Sequence, residues 1–432
     1  LLLILVIYRF VAAFLVKRSL RWLAIVLICM GGGLGWLLIA IGQGDWLGSQ
    51  PIDFFVPEGF TFFLLYGLPH LALARAALLG GLLLTIHAFV LPNPRRWIPF
   101  SALAGLCWLV MGLCVPFYIA VLYAILGAWG LAAWLRQRSF PWQLFFRCCV
   151  GALIPLPYLI YNFYVFATNP VLGAWSAQNV LPSPHPLHYV VGYGILAFLS
   201  LPAIRWGWHR ARHSIVYLLP VSWVIAAPIL VYLPINVQKR LLEGVFVPLC
   251  ILAVMGLRLW WIGSGVQRRP RYARLVWRQA VIGLLLLLLP TTLVLLSGGI
   301  TFAARADLAS PAFHSAGEIA ALDWLNSHAQ TDQIVLCRFD TGNYLPVRTS
   351  LRAYIGHGPE TLNLAEKSQK VDRFLAGSMS PEEARYLLSG EADKGDPIRY
   401  VIANDADGIQ GYTALQKVFE SNGYAIYEVQ AS

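Results

Sequence analysis

The sequence predicts an α-helical polytopic membrane protein, with about ten spans in residues 1–302 and a soluble α/β domain in 303–432. Three observations lead there. Hydrophobic residues make up 58% of the chain and charged residues only 12%, against about 25% charged in soluble globular domains. Charge is also unevenly divided: residues 1–302 hold 21 Lys and Arg with four acids (net +17), whereas 303–432 hold 11 basic and 17 acidic groups (net −6). Those four acids, Asp45, Asp53, Glu58 and Glu243, all fall in loops predicted to share one side of the bilayer. The split excludes a uniformly basic nucleic-acid binder.

Apolar runs long enough to span, roughly 20 residues each, lie at 1–16, 22–42, 69–91, 98–113, 117–135, 143–166, 189–204, 215–233, 244–262 and 280–300. The stretch 98–135 is too long for one helix and carries Pro116 near its middle, so it is divided in two. The chain opens at Leu1 within an apolar run, and Lys17, Arg18 and Arg21 follow that run instead of preceding it. A signal peptide has the opposite order. The expectation is a shortened first span with sequence missing upstream.

With ten spans the loops alternate. One set carries Lys17/Arg18/Arg21, Arg95/Arg96, Arg136/Arg138, Arg205/Arg210/Arg212 and Arg268/Arg269/Arg271/Arg274/Arg278, and by the positive-inside rule it is cytoplasmic. The other set, 43–68, 114–116, 167–188 and 234–243, contains every acid of the membrane part. The C-terminal domain then emerges on that outer side. Six of the seven cysteines lie in apolar segments and Cys337 stands alone in the soluble part, so no disulfide framework is implied.

From Ala303 the texture becomes that of a soluble fold. Ser315–Glu318 reads as a capping-box start for a helix bearing Ile319, Leu322 and Leu325 on one face, and Ser380-Pro381-Glu382-Glu383 starts another. Ile334–Cys337, Ile398–Ala403 and Tyr424–Val429 read as short buried strands. Alternation of strands with helices predicts a small α/β domain.

The outer loops hold the candidate chemistry. Loop 43–68 carries Asp53 and Glu58, followed by His70 and then Arg75 within the next span. A charge inside a span faces a cavity or a partner, and either carboxylate is the expected partner of Arg75. At a water–lipid boundary such a carboxylate serves as a general base or metal ligand; the plain alternative is that it only solvates the loop. Asp45 is read in the plain way. In the second stretch, Pro234–Gly244, Lys239 and Arg240 form the one basic pair on the acidic side. Adjacent cations at a membrane surface suit a lipid-linked phosphate; the alternative is a snorkelling pair balanced by Glu243. Loop 167–188, with Trp175, Gln178, Asn179, His185 and His188, has the residue types of a sugar site or of an ordinary interfacial loop. Pro186 speaks against a helical His185–His188 pair.

Taken with these features, the chain resembles the bacterial polytopic C-type (GT-C) glycosyltransferases. Three stretches carry the likeness: Gly31-Gly32-Gly33-Leu34-Gly35-Trp36 with Pro51-Ile52-Asp53, Pro57-Glu58, Phe62 and Pro69-His70; Pro234, Asn236, Gln238-Lys239-Arg240, Glu243-Gly244 and Pro248; and Gly342–Pro346 with Tyr354–His357 and Glu360-Thr361. The resemblance implies transfer of a sugar from a polyprenyl-phosphate donor to a glycan, lipid or protein acceptor at the outer face of a bacterial cytoplasmic membrane. It also implies an essential acidic residue in a first external loop, which would lie upstream of Leu1. The resemblance fixes no cofactor; a divalent metal is an option, and the polyprenyl-phosphate sugar is the donor.

The expected site therefore has Asp53 and Glu58 as catalytic carboxylates. His70, Arg75, Asn236, Gln238, Lys239, Arg240 and Glu243 bind substrate. Rival readings are a membrane transporter and a non-catalytic scaffold or sensor. No metal-ligand spacing, phosphate-binding loop or nucleophile elbow occurs in the sequence.

Overall fold

The computed structural model describes residues 1–266, 270–305, 313–393 and 395–430, without the side chains of 270 and 271. Arg268 and Arg269 of the basic loops thus lie outside the described residues. The chain divides into two compact units, Leu1–Pro170 with Val180–Ile300, and Val171–Asn179 with Thr301–Ser432.

The first unit is helical. Leu2–Phe14 (α1) and Arg18–Met30 (α2) precede a glycine-rich break, after which come Gly35–Ala40 (α3), Ile52–Phe55 (α4) and Thr61–Gly67 (α5). Long helices follow at Pro69–Val90 (α6), Pro94–Cys114 (α7) and Tyr118–Gln137 (α8), then Trp142–Ala152 (α9) and Leu156–Thr168 (α10). Pro170–Gln178 (α11) is almost wholly part of the second unit. Pro186–Arg210 (α12), Leu218–Leu230 (α13), Phe246–Gly263 (α14), Pro270–Leu288 (α15) and Pro290–Ala304 (α16) complete the series.

Five of these, α6, α7, α8, α12 and α14, are long and apolar enough to cross a membrane, and seven spans result if each bent pair, α9–α10 (56°) and α15–α16 (43°), counts as one. The expected count of about ten is not reached, because three of the ten segments are short or interrupted. The run 1–16 gives a helix of 13 residues, and 215–233 gives the shorter apolar helix Ile215–Leu230. The run 22–42 breaks at Gly31–Gly33, where the backbone gains freedom at the expense of helix stability. The bends have a similar local cause. Pro155 and Pro290 lack the N–H that would continue the ladder, and their rings clash with the preceding turn. The division of 98–135 is observed, with Val115–Phe117 separating α7 from α8.

Close backbone approach holds the bundle together. A Cβ on Gly81 of α6 would lie 2.2 Å from Trp108 Nε1 of α7, and one on Gly256 of α14 would lie 1.8 Å from the Leu199 carbonyl oxygen of α12. Arg147 of α9 donates to the carbonyls of Ala88, Leu91 and Gln143, which satisfies the C-terminal end of α6.

In the second unit, Ala316–His328 (α17), Ile334–Leu336 (β1), Phe339–Arg348 (α18), Arg352–Ala353 (β2), Leu364–Leu375 (α19), Pro381–Leu388 (α20), Ile398–Asn404 (β3), Leu415–Ser421 (β4) and Tyr424–Val429 (β5) follow in order. The sheet order is β2-β1-β3-β5-β4, parallel across the first three strands and antiparallel beyond. Alternate strand residues face opposite layers. Leu336 and Val401 join Phe374 and Leu387 in one core, while Val335 and Ile402 join Leu322 and Leu325 in the other. The Ser380–Glu383 capping box is complete in both directions, whereas at the expected Ser315–Glu318 box only Ser315 accepts, from the Glu318 N–H, and the Glu318 carboxylate bonds His314 and Thr341 instead. Two strands were not expected: β2 is only two residues long, and β4 is an edge strand with no buried residue to mark it.

Candidate functional site: an ionic network between two loops

Short elements of loop 43–68 place its carboxylates in different surroundings. Asp53 sits in α4 and is buried, 1% exposed. Its Oδ2 accepts from the Gly33 N–H (2.9 Å), the Gly35 N–H (3.2 Å) and the Thr291 hydroxyl (2.6 Å). One carboxylate oxygen therefore ties the α2–α3 break to the α15–α16 bend. Its Oδ1 has no hydrogen-bond partner among the described residues. A Cβ on Gly35 would fall 2.0 Å from Oδ1, so only glycine fits beside it. Burial pushes the Asp53 carboxyl up, with the bonds from Thr291, Gly33 and Gly35 opposing.

Glu58 lies in the 3₁₀ turn Pro57–Gly59 and is also 1% exposed. Its Oε1 accepts from Arg240 Nε at 2.5 Å, and its backbone carbonyl accepts from the Gly244 N–H (3.2 Å) and from Arg75 Nη2 (2.5 Å). The Glu58 turn is thereby clamped to the loop that bears Lys239 and Arg240.

Arg75 and Glu243 form a bidentate pair, Nε–Oε1 2.7 Å and Nη2–Oε2 2.9 Å, with both side chains fully buried. Thr61 accepts from Arg75 Nη1 at 3.2 Å. This corrects the expected pairing: Arg75 binds neither the Asp53 nor the Glu58 carboxylate. Nor does Glu243 balance Lys239 and Arg240, because Glu58 pairs with Arg240 instead. Arg75 lies more than a turn inside α6 and meets Glu243 just ahead of α14, whereas the Glu58 side chain turns to Arg240. A fully buried charge is tolerated only with its complement and its remaining hydrogen bonds in place.

Lys239 and Arg240 are both half-buried. The Arg240 guanidinium lies 5.0 Å from the centroid of the Phe117 ring, and Lys239 Nζ lies 4.8 Å from that of Phe55. Lys239 has no carboxylate within ion-pair distance among the described residues. Burial pushes its ammonium below the ordinary lysine range and neighbouring Arg240 adds to that, while Glu58 opposes it. An ammonium held over a ring without an ion-paired carboxylate can donate to a phosphate oxygen.

The other expected ligands separate from this group. Gln238 is committed at both ends, Oε1 to the Ser183 N–H (3.0 Å) and Nε2 to the Leu233 carbonyl (2.9 Å), and so braces the loop. The backbone carbonyl of Asn236 accepts from the Leu181 N–H at 2.6 Å. His70 is exposed in the first turn of α6 and bonds to none of these carboxylates among the described residues. His188, expected in a loop, lies in the first turn of α12, because Pro186 starts that helix with His185 as its cap. Its Nε2 meets the Trp46 carbonyl at 2.8 Å.

Sequence reasoning missed Thr291, Thr61, Phe55 and Phe117. A hydroxyl pair directly after Pro290 in an otherwise apolar run was the available signal for Thr291. The two rings carried none, because phenylalanines are abundant throughout the chain.

Asp53 and Glu58 do not by themselves form a cation site. No group of three His, Cys, Asp or Glu side chains able to hold a metal occurs among the described residues. The donors already on Asp53 Oδ2 are N–H and O–H groups, and Glu58 faces a guanidinium.

No family model and no curated protein matches the chain. Among solved structures it is similar to the crystal structure of the Archaeoglobus fulgidus oligosaccharyltransferase in complex with Zn and sulfate, with a TM-score of 0.47 and 13% identity, over 93% of this chain and 55% of that one. The chain thus spans about half the length of that enzyme. Likeness at this level assigns no residue and no activity here.

Proposed function

We propose that the first unit is a membrane glycosyltransferase site that moves a sugar from a polyprenyl-phosphate donor to an acceptor hydroxyl at the acidic face of the membrane. The observation that carries this reading is Lys239, a half-buried cation with no ion-paired carboxylate among the described residues, next to Arg240, which pairs with Glu58. Lys239 and Arg240 hold the donor phosphate. The acceptor oxygen attacks the anomeric carbon from the opposite face, the bond from that carbon to the phosphate oxygen breaks, and the electron pair leaves with the phosphate. Glu58 takes the acceptor proton through Oε2, which accepts no hydrogen bond among the described residues. Asp53, Arg75 and Glu243, held inside, position the two loops. Configuration inverts in a single displacement of this kind.

A charge-assisted hydrogen bond is worth about 1.5–3 kcal/mol, so transfer assays on the full-length protein with a lipid-phosphate sugar should show Lys239→Ala losing roughly 10- to 100-fold in kcat/KM. Lys239→Arg should retain most of the rate. Because burial lowers the Lys239 pKa, the wild-type donor KM should rise with pH below the usual lysine value of about 10.4, and Lys239→Arg should abolish that alkaline limb. Unchanged turnover in Lys239→Ala/Arg240→Ala removes the phosphate role.

A transporter is the second reading, favoured by the interrupted α2–α3 and α15–α16 segments that meet at Asp53, since transporters build sites at broken helices. Solute flux into proteoliposomes without sugar transfer decides for it.

A further inference from the structure

We propose that the α8–α9 hairpin holds one anionic phospholipid, with an acyl chain in a lateral groove and the headgroup phosphate at Arg138. The groove encloses about 400 Å³ between the two helices and closes at the turn that joins them. Its walls are apolar, and along α8 they run from Tyr123 through Gly127, Gly130 and Leu131 to Trp134. These positions follow the i, i+3, i+4 spacing of one helix face. The eleven steps from Tyr123 to Trp134, at about 1.5 Å each, give roughly 16 Å, close to the depth of one leaflet in a hydrocarbon core of about 30 Å.

Two independent features mark the groove as a seat and not a packing defect. A Cβ on Gly127 or Gly130 would meet nothing within 4 Å, so both glycines widen its floor without serving any helix contact. At the far end, the Tyr123 hydroxyl donates to the Ala152 carbonyl at 2.6 Å, which closes the apolar end without leaving a polar group exposed to a chain.

The turn supplies the charge. Arg138 caps α8 in the left-handed conformation, its N–H bonded to the Trp134 carbonyl at 2.8 Å, within the turn between the groove-lining Trp134 and Phe140. Its side chain is exposed and has no carboxylate partner among the described residues. On the same turn, Arg136 places Nε on the Trp208 carbonyl and leaves Nη2 buried without an acceptor. Trp134, Phe140 and Trp142 pack around the turn, with Phe140–Trp142 centroids 4.5 Å apart, as an aromatic rim at headgroup depth. Basic side chains at the edge of an apolar crevice between spans select anionic headgroups.

Native mass spectrometry on the full-length protein, taken from nanodiscs of mixed phosphatidylglycerol and phosphatidylcholine, tests the inference by counting retained lipids. Wild type should retain phosphatidylglycerol in preference to phosphatidylcholine. Gly127→Leu/Gly130→Leu, whose side chains enter open space, should lose the retained lipid while melting no lower than wild type. Arg138→Gln should keep a lipid, with its preference for the anionic headgroup reduced about fivefold. Equal retention of both lipids by wild type, or an unchanged anionic preference in Arg138→Gln, overturns the proposal even if the glycine variant is not recovered folded. None of these outcomes depends on sugar transfer.

Discussion

Arg75 and Glu243 show how one buried pair can fix the position of two loops. The guanidinium spends Nε and Nη2 on the Glu243 carboxylate, Nη1 on Thr61 and Nη2 again on the Glu58 carbonyl, so α6, α5 and both loops converge on one side chain. Removing one partner leaves an uncompensated charge where water cannot reach it, a loss of about 3–5 kcal/mol. Arg75→Met and Glu243→Leu should each lower the melting midpoint of the detergent-solubilised protein sharply. The double variant should recover most of the loss, because an apolar pair of similar size replaces an ion pair at little net cost. Full stability in either single variant would mean that the pair is not buried. Asp53 belongs with them by burial and bonding, a staple with three donors on one oxygen, even though its residue type and loop suit a catalyst equally well.

The helices differ in how much their packing tolerates. Gly256 brings α14 against the α12 backbone, and a side chain there meets a carbonyl oxygen that cannot move without shifting the whole helix. Gly256→Leu should therefore cost at least about 1–3 kcal/mol, read as a lower melting midpoint and reduced folded yield. The same substitution at Gly130 meets open space and should leave the midpoint unchanged. The two glycines look alike in sequence, each a lone glycine in an apolar run, and only the facing element separates them. Of the breaks, only that between α7 and α8 was read from the sequence, at Pro116; Pro155, Pro290 and the Gly31–Gly33 run stand where α9–α10, α15–α16 and α2–α3 divide, inside segments expected to be continuous. The short α1 and the compact Ile215–Leu230 helix were less legible, since hydropathy registers apolar length and not where a helix stops.

For the molecule as a whole, the sorting of charge predicts topology. Cysteine substitutions at Gln50 and Ser389, both exposed, should label from the same side of the membrane, and one at Arg138 from the other. Labelling of Gln50 and Arg138 from a common side would refute the assignment of sides. By itself the sequence determined the mainly helical, strongly apolar character of the first unit and the strand–helix alternation of the second, because composition and periodicity are local and additive properties of the chain. It also singled out the charged residues worth examining, since so few acids occur there. Tertiary structure alone decided which charge meets which: Glu243 is 168 residues from Arg75, and Glu58 is 182 from Arg240. Pairing over such separations depends on where the packed elements bring each side chain, and on the cost of burying any charge alone. Neither quantity is written in the order of residues.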